Sequence, residues 1–235
     1  FESVVGQTAT VKTLRHQIET GQIAHAYLFC GCRGTGKTTM AKLMSRAINC
    51  LNPNHGDPCG QCEVCRAIQT ESTMDVLELD AASNNSVDNI RELLEQVRYP
   101  AQMGKYKVYI IDEVHMLSTA AFNALLKTLE EPPAHVVFIL ATTEPQKLPA
   151  TILSRVQRYD FGRIPSELMI GRMKEALEWL HRCYEEKLID MEYLTLDKTA
   201  WYSEWTNNQV FMSYDWAAYI DNVSNLFKNE NSDIR

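Results

Sequence analysis

Eight consecutive residues, Gly31-Cys32-Arg33-Gly34-Thr35-Gly36-Lys37-Thr38, spell G-x-x-x-x-G-K-[ST]. These residue types suit the binding of a polyphosphate. Glycines allow successive backbone N–H groups to curl around phosphate oxygens without a Cβ clash. A helix starting at the end of the loop points its positive pole at the same anion. Lys37 is then placed to reach the β- and γ-phosphates, and the Thr38 hydroxyl to ligate Mg²⁺. Gly31, Gly34, Thr35, Gly36, Lys37, Thr38 and the following Thr39 form the candidate nucleotide-binding set. The competing reading is a chance glycine turn. A strand before the loop and a helix after it count against that.

Seventy-five residues after Lys37, the apolar run Val108-Tyr109-Ile110-Ile111 ends in Asp112-Glu113. A buried strand delivers Asp112 to the sheet edge, where it can hold Mg²⁺ through water. Glu113, one residue on, can polarise an attacking water as general base. Taken alone, the pair reads equally as two solvated acids closing a strand. Coupled to the glycine loop, it reads as catalytic.

Four of the seven cysteines, Cys50, Cys59, Cys62 and Cys65, fall within 16 residues. Four soft thiolates at this spacing suit a closed tetrahedral Zn²⁺ site with a structural role. Two disulfides or free thiols are the alternatives. Cys30 and Cys32 flank Gly31 as small loop residues, and Cys183 reads as a free thiol in a late helix. Ala141-Thr142-Thr143-Glu144 closes another apolar run, where a hydroxyl can lie near the γ-phosphate beside Asp112. Both threonines could equally cap a loop. Arg155, in Leu153-Ser154-Arg155, is a surface charge unless it projects into a neighbouring subunit's nucleotide site, where a cation stabilises the transferring phosphoryl group.

The elements that must position these groups alternate. Strands are expected at Ala26–Phe29, Val76–Leu79, Val108–Ile111 and Val136–Ala141. Helices are expected at Thr38–Asn49, with Met40, Leu43, Met44 and Ala47 on one face, at Val87–Val97, and at Ala120–Leu129 before Pro132-Pro133. Near-continuous apolar strands between helices indicate an α/β fold with a parallel sheet covered on both faces. Near residues 165–175 the character changes. All four tryptophans lie beyond this point, and Glu167–Lys187 reads as one long helix with Leu168, Met169, Met173, Leu177, Leu180 and Tyr184 as its apolar stripe. The expected division is therefore 1–165 and 166–235.

The net charge of -7 is uneven: residues 1–165 hold 16 basic and 17 acidic side chains, and residues 166–235 hold 7 and 13. Neither part is a basic nucleic-acid module, so DNA contact needs a local patch or several subunits. No run of 18 apolar residues exists, so no membrane span is expected. The chain starts at Phe1 with no secretory pattern, and it reads as a cytoplasmic protein trimmed from something longer.

Over about 1–173 the sequence resembles the gamma/tau family of bacterial DNA polymerase III, the AAA+ clamp-loader ATPases. The glycine loop, the four cysteines and Asp112-Glu113-Val114-His115-Met116-Leu117-Ser118 carry the resemblance. So do Val4-Val5-Gly6-Gln7, His25-Ala26-Tyr27-Leu28-Phe29, Leu79-Asp80-Ala81-Ala82-Ser83, Leu125 to Pro133 and Ala141 to Pro149. It implies a P-loop AAA+ parallel sheet flanked by helices with a small zinc-binding insertion at about 50–65, and ATP, Mg²⁺ and Zn²⁺ as cofactors. Val4 and Val5 line the adenine pocket. Lys37, Thr38 and Asp112 bind phosphate and Mg²⁺, Glu113 is the base, and Thr143 is the sensor. Arg155 is the arginine finger, although the family's Ser-Arg-Cys reads Ser154-Arg155-Val156 here. The implied partners are other clamp-loader subunits, the sliding clamp and primer–template DNA, with no membrane.

The family's basic stretch ahead of Phe1, its helical lid and its collar are not found in the sequence. From about 174 onward the chain instead resembles a fragment of an extracellular solute-binding protein, on Glu175 to His181, Lys187-Leu188-Ile189-Asp190 and Val210 to Trp216. A chimera is therefore expected, with weak ATP binding, little hydrolysis by the chain alone and no assembly. Alternatives are a nucleotide- and zinc-binding module without turnover, a divergent lid, and a solute-binding fragment in the tail.

Overall fold

The structure, a computed structural model, describes residue 1 and residues 4–186. The chain divides into two units after Met169. In the first unit, helix α1 (Thr8–Thr20) precedes β1 (Ala26–Cys30). Then come α2 (Lys37–Asn49), α3 (Glu63–Gln69), β2 (Val76–Asp80), α4 (Val87–Gln96) and β3 (Lys107–Asp112). A 3₁₀ turn (Val114–Met116), α5 (Thr119–Glu130), β4 (Val136–Thr142), a second 3₁₀ turn (Pro145–Lys147), α6 (Ala150–Leu153) and β5 (Gln157–Asp160) complete it.

All strand pairings are parallel, in the order β2-β3-β4-β1-β5. The pleat sends alternate side chains to opposite faces. Ala26, Leu28, Cys30, Tyr109 and Ile111 join Ile90, Phe122 and Leu125 from α4 and α5. Tyr27, Phe29, Val108 and Ile110 join Leu14, Met40 and Met44 from α1 and α2. Both faces are thus covered, which explains why these strands carry no polar alternation. The ends of β1, β3 and β4 are set by register: Cys30 lies beside Thr142, and Ile111 beside Leu140. The residues that follow β1, β3 and β4 therefore emerge on one edge of the sheet, the carboxyl edge where open α/β sheets place their ligands.

The expected helix face of Met40, Leu43, Met44 and Ala47 is buried in full. The structure adds elements the sequence did not announce. The edge strand β5 buries only Tyr159 among its four residues, so no apolar run marks it. Helix α1 buries only Thr10 and Leu14 and has the composition of a solvated helix. Cys30 is a buried strand residue rather than a loop residue, while Cys32 is exposed.

Helix α7 (Ser166–Glu185) forms as expected, but most of its expected apolar stripe does not bury. Leu168, Met169, Met173, Leu177 and Leu180 are all exposed, as are Ile170 and Trp179. Cys183 on the same helix is buried. The expectations for Lys187 to Asp190, for Val210 to Trp216, and for Trp201 and Trp205 fall outside the described residues. No described helix is long and apolar enough to cross a membrane.

Candidate nucleotide and metal sites

The glycine loop spans the gap between β1 and α2, and its conformation explains its residue types. A Cβ on Gly31 would stand 2.6 Å from the Phe161 carbonyl oxygen. Gly36, the residue capping α2, sits at φ +89°, a region that side chains rarely adopt. Gln7 ties this loop to the segment after β5: its Nε2 donates to the carbonyls of Gly162 at 2.7 Å and Thr35 at 3.4 Å, and its Oε1 accepts from Gly162 N at 3.2 Å.

Lys37 is buried, and its Nζ donates to the Gly31 and Cys32 carbonyls at 2.9 and 3.1 Å. Its charge therefore lies over the mouth of its own loop. Thr38 Oγ1 donates to Asp112 Oδ2 at 2.6 Å. The hydroxyl and the carboxylate form a pair of hard oxygen donors, the set that suits Mg²⁺. Val4, Val5, Thr35, Gly36, Thr38, Thr39 and Ile164 line one cleft of about 480 Å³. The sequence reading brought Val4, Val5 and Thr39 to this region but missed Gln7 and Ile164.

Glu113 follows Asp112 in a left-handed conformation, φ +45° and ψ +42°. This bend turns the chain at the end of β3 and leaves the Glu113 side chain at the sheet edge. The Asp112 carboxylate accepts from Glu113 N at 2.8 Å. Thr143, just past β4, donates to Glu113 Oε2 from Oγ1 at 3.1 Å and from its backbone N at 3.4 Å. Thr142 behaves differently: its fully buried side chain meets His115 Nδ1 at 3.1 Å. The two threonines expected as a pair thus divide, one toward Glu113 and one toward the interior.

Arg155 lies after α6, away from this edge. Its guanidinium donates to Glu130 Oε1 at 2.9 Å, to the Thr151 carbonyl at 2.8 Å and to Ser154 Oγ at 3.1 Å. Among the described residues it makes no hydrogen bond to the glycine loop, Asp112 or Glu113.

The four clustered cysteines converge, with all Sγ atoms within 4.8 Å of one another. A tetrahedral Zn²⁺ with Zn–S bonds of about 2.3 Å requires sulfurs about 3.8 Å apart, so the cluster fits that ion. Backbone N–H groups support the sulfurs: Cys59 N to Cys50 Sγ at 3.2 Å, Cys62 N to Cys59 Sγ at 3.3 Å, and Cys65 N to Cys62 Sγ at 3.4 Å. The N–H groups of Gln61 and Cys62 hold the Cys59 thiol down to about 6. Burial pushes the Cys65 thiol strongly up. Helix α3 begins inside the cluster, with Cys62 as its N-cap and Cys65 in its first turn.

A parallel sheet with a G-x-x-x-x-G-K-T loop after β1 and an Asp-Glu pair at the end of β3 defines a P-loop nucleotide-binding protein of the AAA+ class. The family model for the DNA polymerase III delta subunit matches residues 6–165, and the chain belongs to that family of DNA polymerase III subunits. Within it, the gamma/tau subunits are similar. The tau subunit of Bacillus subtilis is 54% identical over 76% of this chain, and that of Escherichia coli is 46% identical over 81%. The chain spans 32% and 30% of those two relatives. A gamma subunit-related protein of Thermotoga maritima has a solved structure 27% identical in sequence, with TM-score 0.51, covering 66% of this chain and 46% of that one. Thermotoga maritima RuvB, 19% identical with TM-score 0.53, covers 75% of this chain and 52% of its own and shares the fold.

The comparisons lend nothing to the solute-binding resemblance of the tail. The gamma subunit of Buchnera aphidicola aligns over 203 residues, 86% of this chain, at 41% identity. An alignment of that length necessarily runs past residue 174, where the foreign segment was expected to begin.

Proposed function

We propose that this chain is the ATPase core of a clamp-loader subunit of DNA polymerase III, working in the cytoplasm with other loader subunits, the sliding clamp and primer–template DNA. The observation that carries the proposal is the 2.6 Å contact between Thr38 and Asp112, with Glu113 held one residue further on by Thr143. Two segments far apart in sequence meet at one edge, and this supports reading Thr38 and Asp112 as donors to a metal–triphosphate and Glu113 as the carboxylate for a water.

In this reading Val4 and Val5 receive the adenine. Gly31, Gly34, Thr35, Gly36 and Thr39 present the loop to the phosphates, and Lys37 swings from its own carbonyls to the β- and γ-oxygens. Thr38 and Asp112 hold Mg²⁺, which when bound neutralises charge on the phosphates. Glu113 accepts the proton of the attacking water, while Thr143 fixes that carboxylate and senses the γ-phosphate. Arg155, which makes no hydrogen bond to its own loop among the described residues, acts on the nucleotide of an adjacent subunit. Cys50, Cys59, Cys62 and Cys65 hold a structural Zn²⁺. Binding energy from ATP opens and places the clamp, and hydrolysis releases it.

Replacing Glu113 by Gln tests this. Glu113→Gln should abolish ATP turnover yet leave ATP affinity within about threefold. Turnover that survives the change would remove Glu113 from the reaction. A wild-type chain that binds ATP and never turns it over would leave a nucleotide- and zinc-binding module instead.

A further inference from the structure

We infer that His115 is a positioning residue for the general base, holding one oxygen of Glu113 so that the other faces the attacking water. This rests on the ATPase reading above and extends it to a side chain to which that reading gives no role.

The 3₁₀ turn after β3 brings His115 back beneath Glu113. Val114 is fully buried and anchors the turn, and Met116 N donates to the Glu113 carbonyl at 2.8 Å. The His115 side chain is only 6% exposed. Its Nδ1 stands 3.4 Å from Glu113 Oε2 and 3.1 Å from Thr142 Oγ1, and its Nε2 stands 3.4 Å from Glu144 Oε1. A buried imidazole here has polar partners at both nitrogens, contributed by the ends of two strands, β3 and β4.

Nδ1 makes its hydrogen bond with the Thr142 hydroxyl at 3.1 Å and lies 3.4 Å from Glu113 Oε2. An N–H on Nδ1 is attracted to that carboxylate, whereas a bare lone pair there is repelled. The Thr142 hydroxyl accepts from Glu144 N at 3.0 Å, so it also pins the loop that carries Glu144. Lys147, hydrogen-bonded to Glu144 at 2.8 Å, holds the Glu144 carboxyl below its usual range, so a negative oxygen faces Nε2. The ring is thereby held at both nitrogens, with Nδ1 against Thr142 and Glu113 and Nε2 against Glu144.

All the contacts to Glu113 fall on a single oxygen. Oε2 meets Thr143 Oγ1, Thr143 N and His115 Nδ1. Among the described residues no hydrogen bond reaches Oε1. A carboxylate tethered at one oxygen keeps the other in a fixed direction with its lone pairs free. That is the arrangement a general base needs, because misplacing it by about 1 Å can cost about 100-fold in rate.

Two conservative substitutions separate positioning from packing. The amide nitrogen of Asn overlays Nδ1 of His, whereas that of Gln overlays Nε2. Single-turnover ATP hydrolysis by the chain in excess, with Glu113→Gln as the zero, reads the chemical step. Titration with a fluorescent ATP analogue reads affinity, and melting temperature reads folding. His115→Ala and His115→Gln should slow hydrolysis about tenfold or more, while His115→Asn should stay within about threefold of wild type. Affinity should stay within about twofold in all three, and the Asn and Gln variants should melt together. Equal rates for the Asn and Gln variants, an unchanged rate for His115→Ala, or affinity falling in step with rate would each overturn the inference. A wild-type chain without Glu113-dependent hydrolysis would overturn the ATPase reading itself and the inference with it.

Discussion

Thr38 Oγ1 and Asp112 Oδ2 lie 2.6 Å apart although 74 residues separate them in sequence. Register in the parallel sheet produces this contact. The glycine loop turns Thr38 into the first turn of α2 above the end of β1. Strand β4 lies between β1 and β3 and pairs with both, so Asp112 ends on the same edge. Lengthening β3 by one residue would reverse the face to which Asp112 points. Thr38→Ala should leave magnesium-free nucleotide binding near wild type and remove most of the affinity gained on adding Mg²⁺, about tenfold. Isothermal titration with and without Mg²⁺ measures this. An undiminished metal effect would move the metal off Thr38.

Lys37 supplies a second, separable term. It is buried and donates to two carbonyls of its own loop, so its ammonium lies at the loop and, in the proposed reading, exchanges those carbonyls for phosphate oxygens. Lys37→Ala should weaken ATP binding by about 10- to 100-fold, the loss of one charge-assisted contact, and should weaken ADP binding less. Equal losses for ATP and ADP would show that Lys37 does not reach the γ-phosphate.

The motifs of the candidate site were legible in the sequence because their residues are local. A phosphate loop needs its glycines and lysine adjacent, and the four cysteines that converge span only sixteen residues. Parallel strands buried on both faces wrote themselves as apolar runs. The rest depended on tertiary contact. Strand β5 has a mostly exposed, polar sequence and exists because its backbone pairs with β1. Thr142 and Thr143 look alike in sequence, and only the pleat separates the buried hydroxyl from the one that meets Glu113. His115 carried no signal, since the Thr142 and Glu144 that also meet its ring lie 27 or more residues further along the chain. The apolar periodicity of α7 named Leu168, Met169, Met173, Leu177 and Leu180, which the structure leaves exposed.

Asp75 makes a structural prediction independent of nucleotide. The residue is 1% exposed, and its carboxylate accepts from Gln102, Met103 and Gly104 N at 2.7, 2.7 and 2.8 Å. These bonds close the loop that feeds β3, the strand delivering Asp112. Asp75→Ala strands three backbone donors and should cost about 3 kcal/mol or more, read by urea denaturation. A loss under about 1 kcal/mol would mean that water replaces the carboxylate.

The cysteine cluster predicts an order of reactivity in the metal-free chain. The Cys59 thiol, ordinarily near 9.0, is held at about 6 by the N–H groups of Gln61 and Cys62, while burial drives Cys65 the other way. A lowered value means that the thiolate at Cys59 favours the folded loop fully above its ordinary range. That contribution shrinks as pH falls and is gone once pH drops through about 6. Alkylation of the chelated chain at about pH 7 should therefore mark Cys59 first and Cys65 last, and acidification to about pH 5 should silence Cys59. Zinc should be retained at neutral pH and released over the same acid range, because protons compete for the same sulfur. Peptide mapping by mass spectrometry reads the first outcome, and a zinc-sensitive dye reads the second. If Cys65 were alkylated as fast as Cys59, the N–H groups at the loop would not be setting the thiolate, and the cluster would owe its shape to the metal alone.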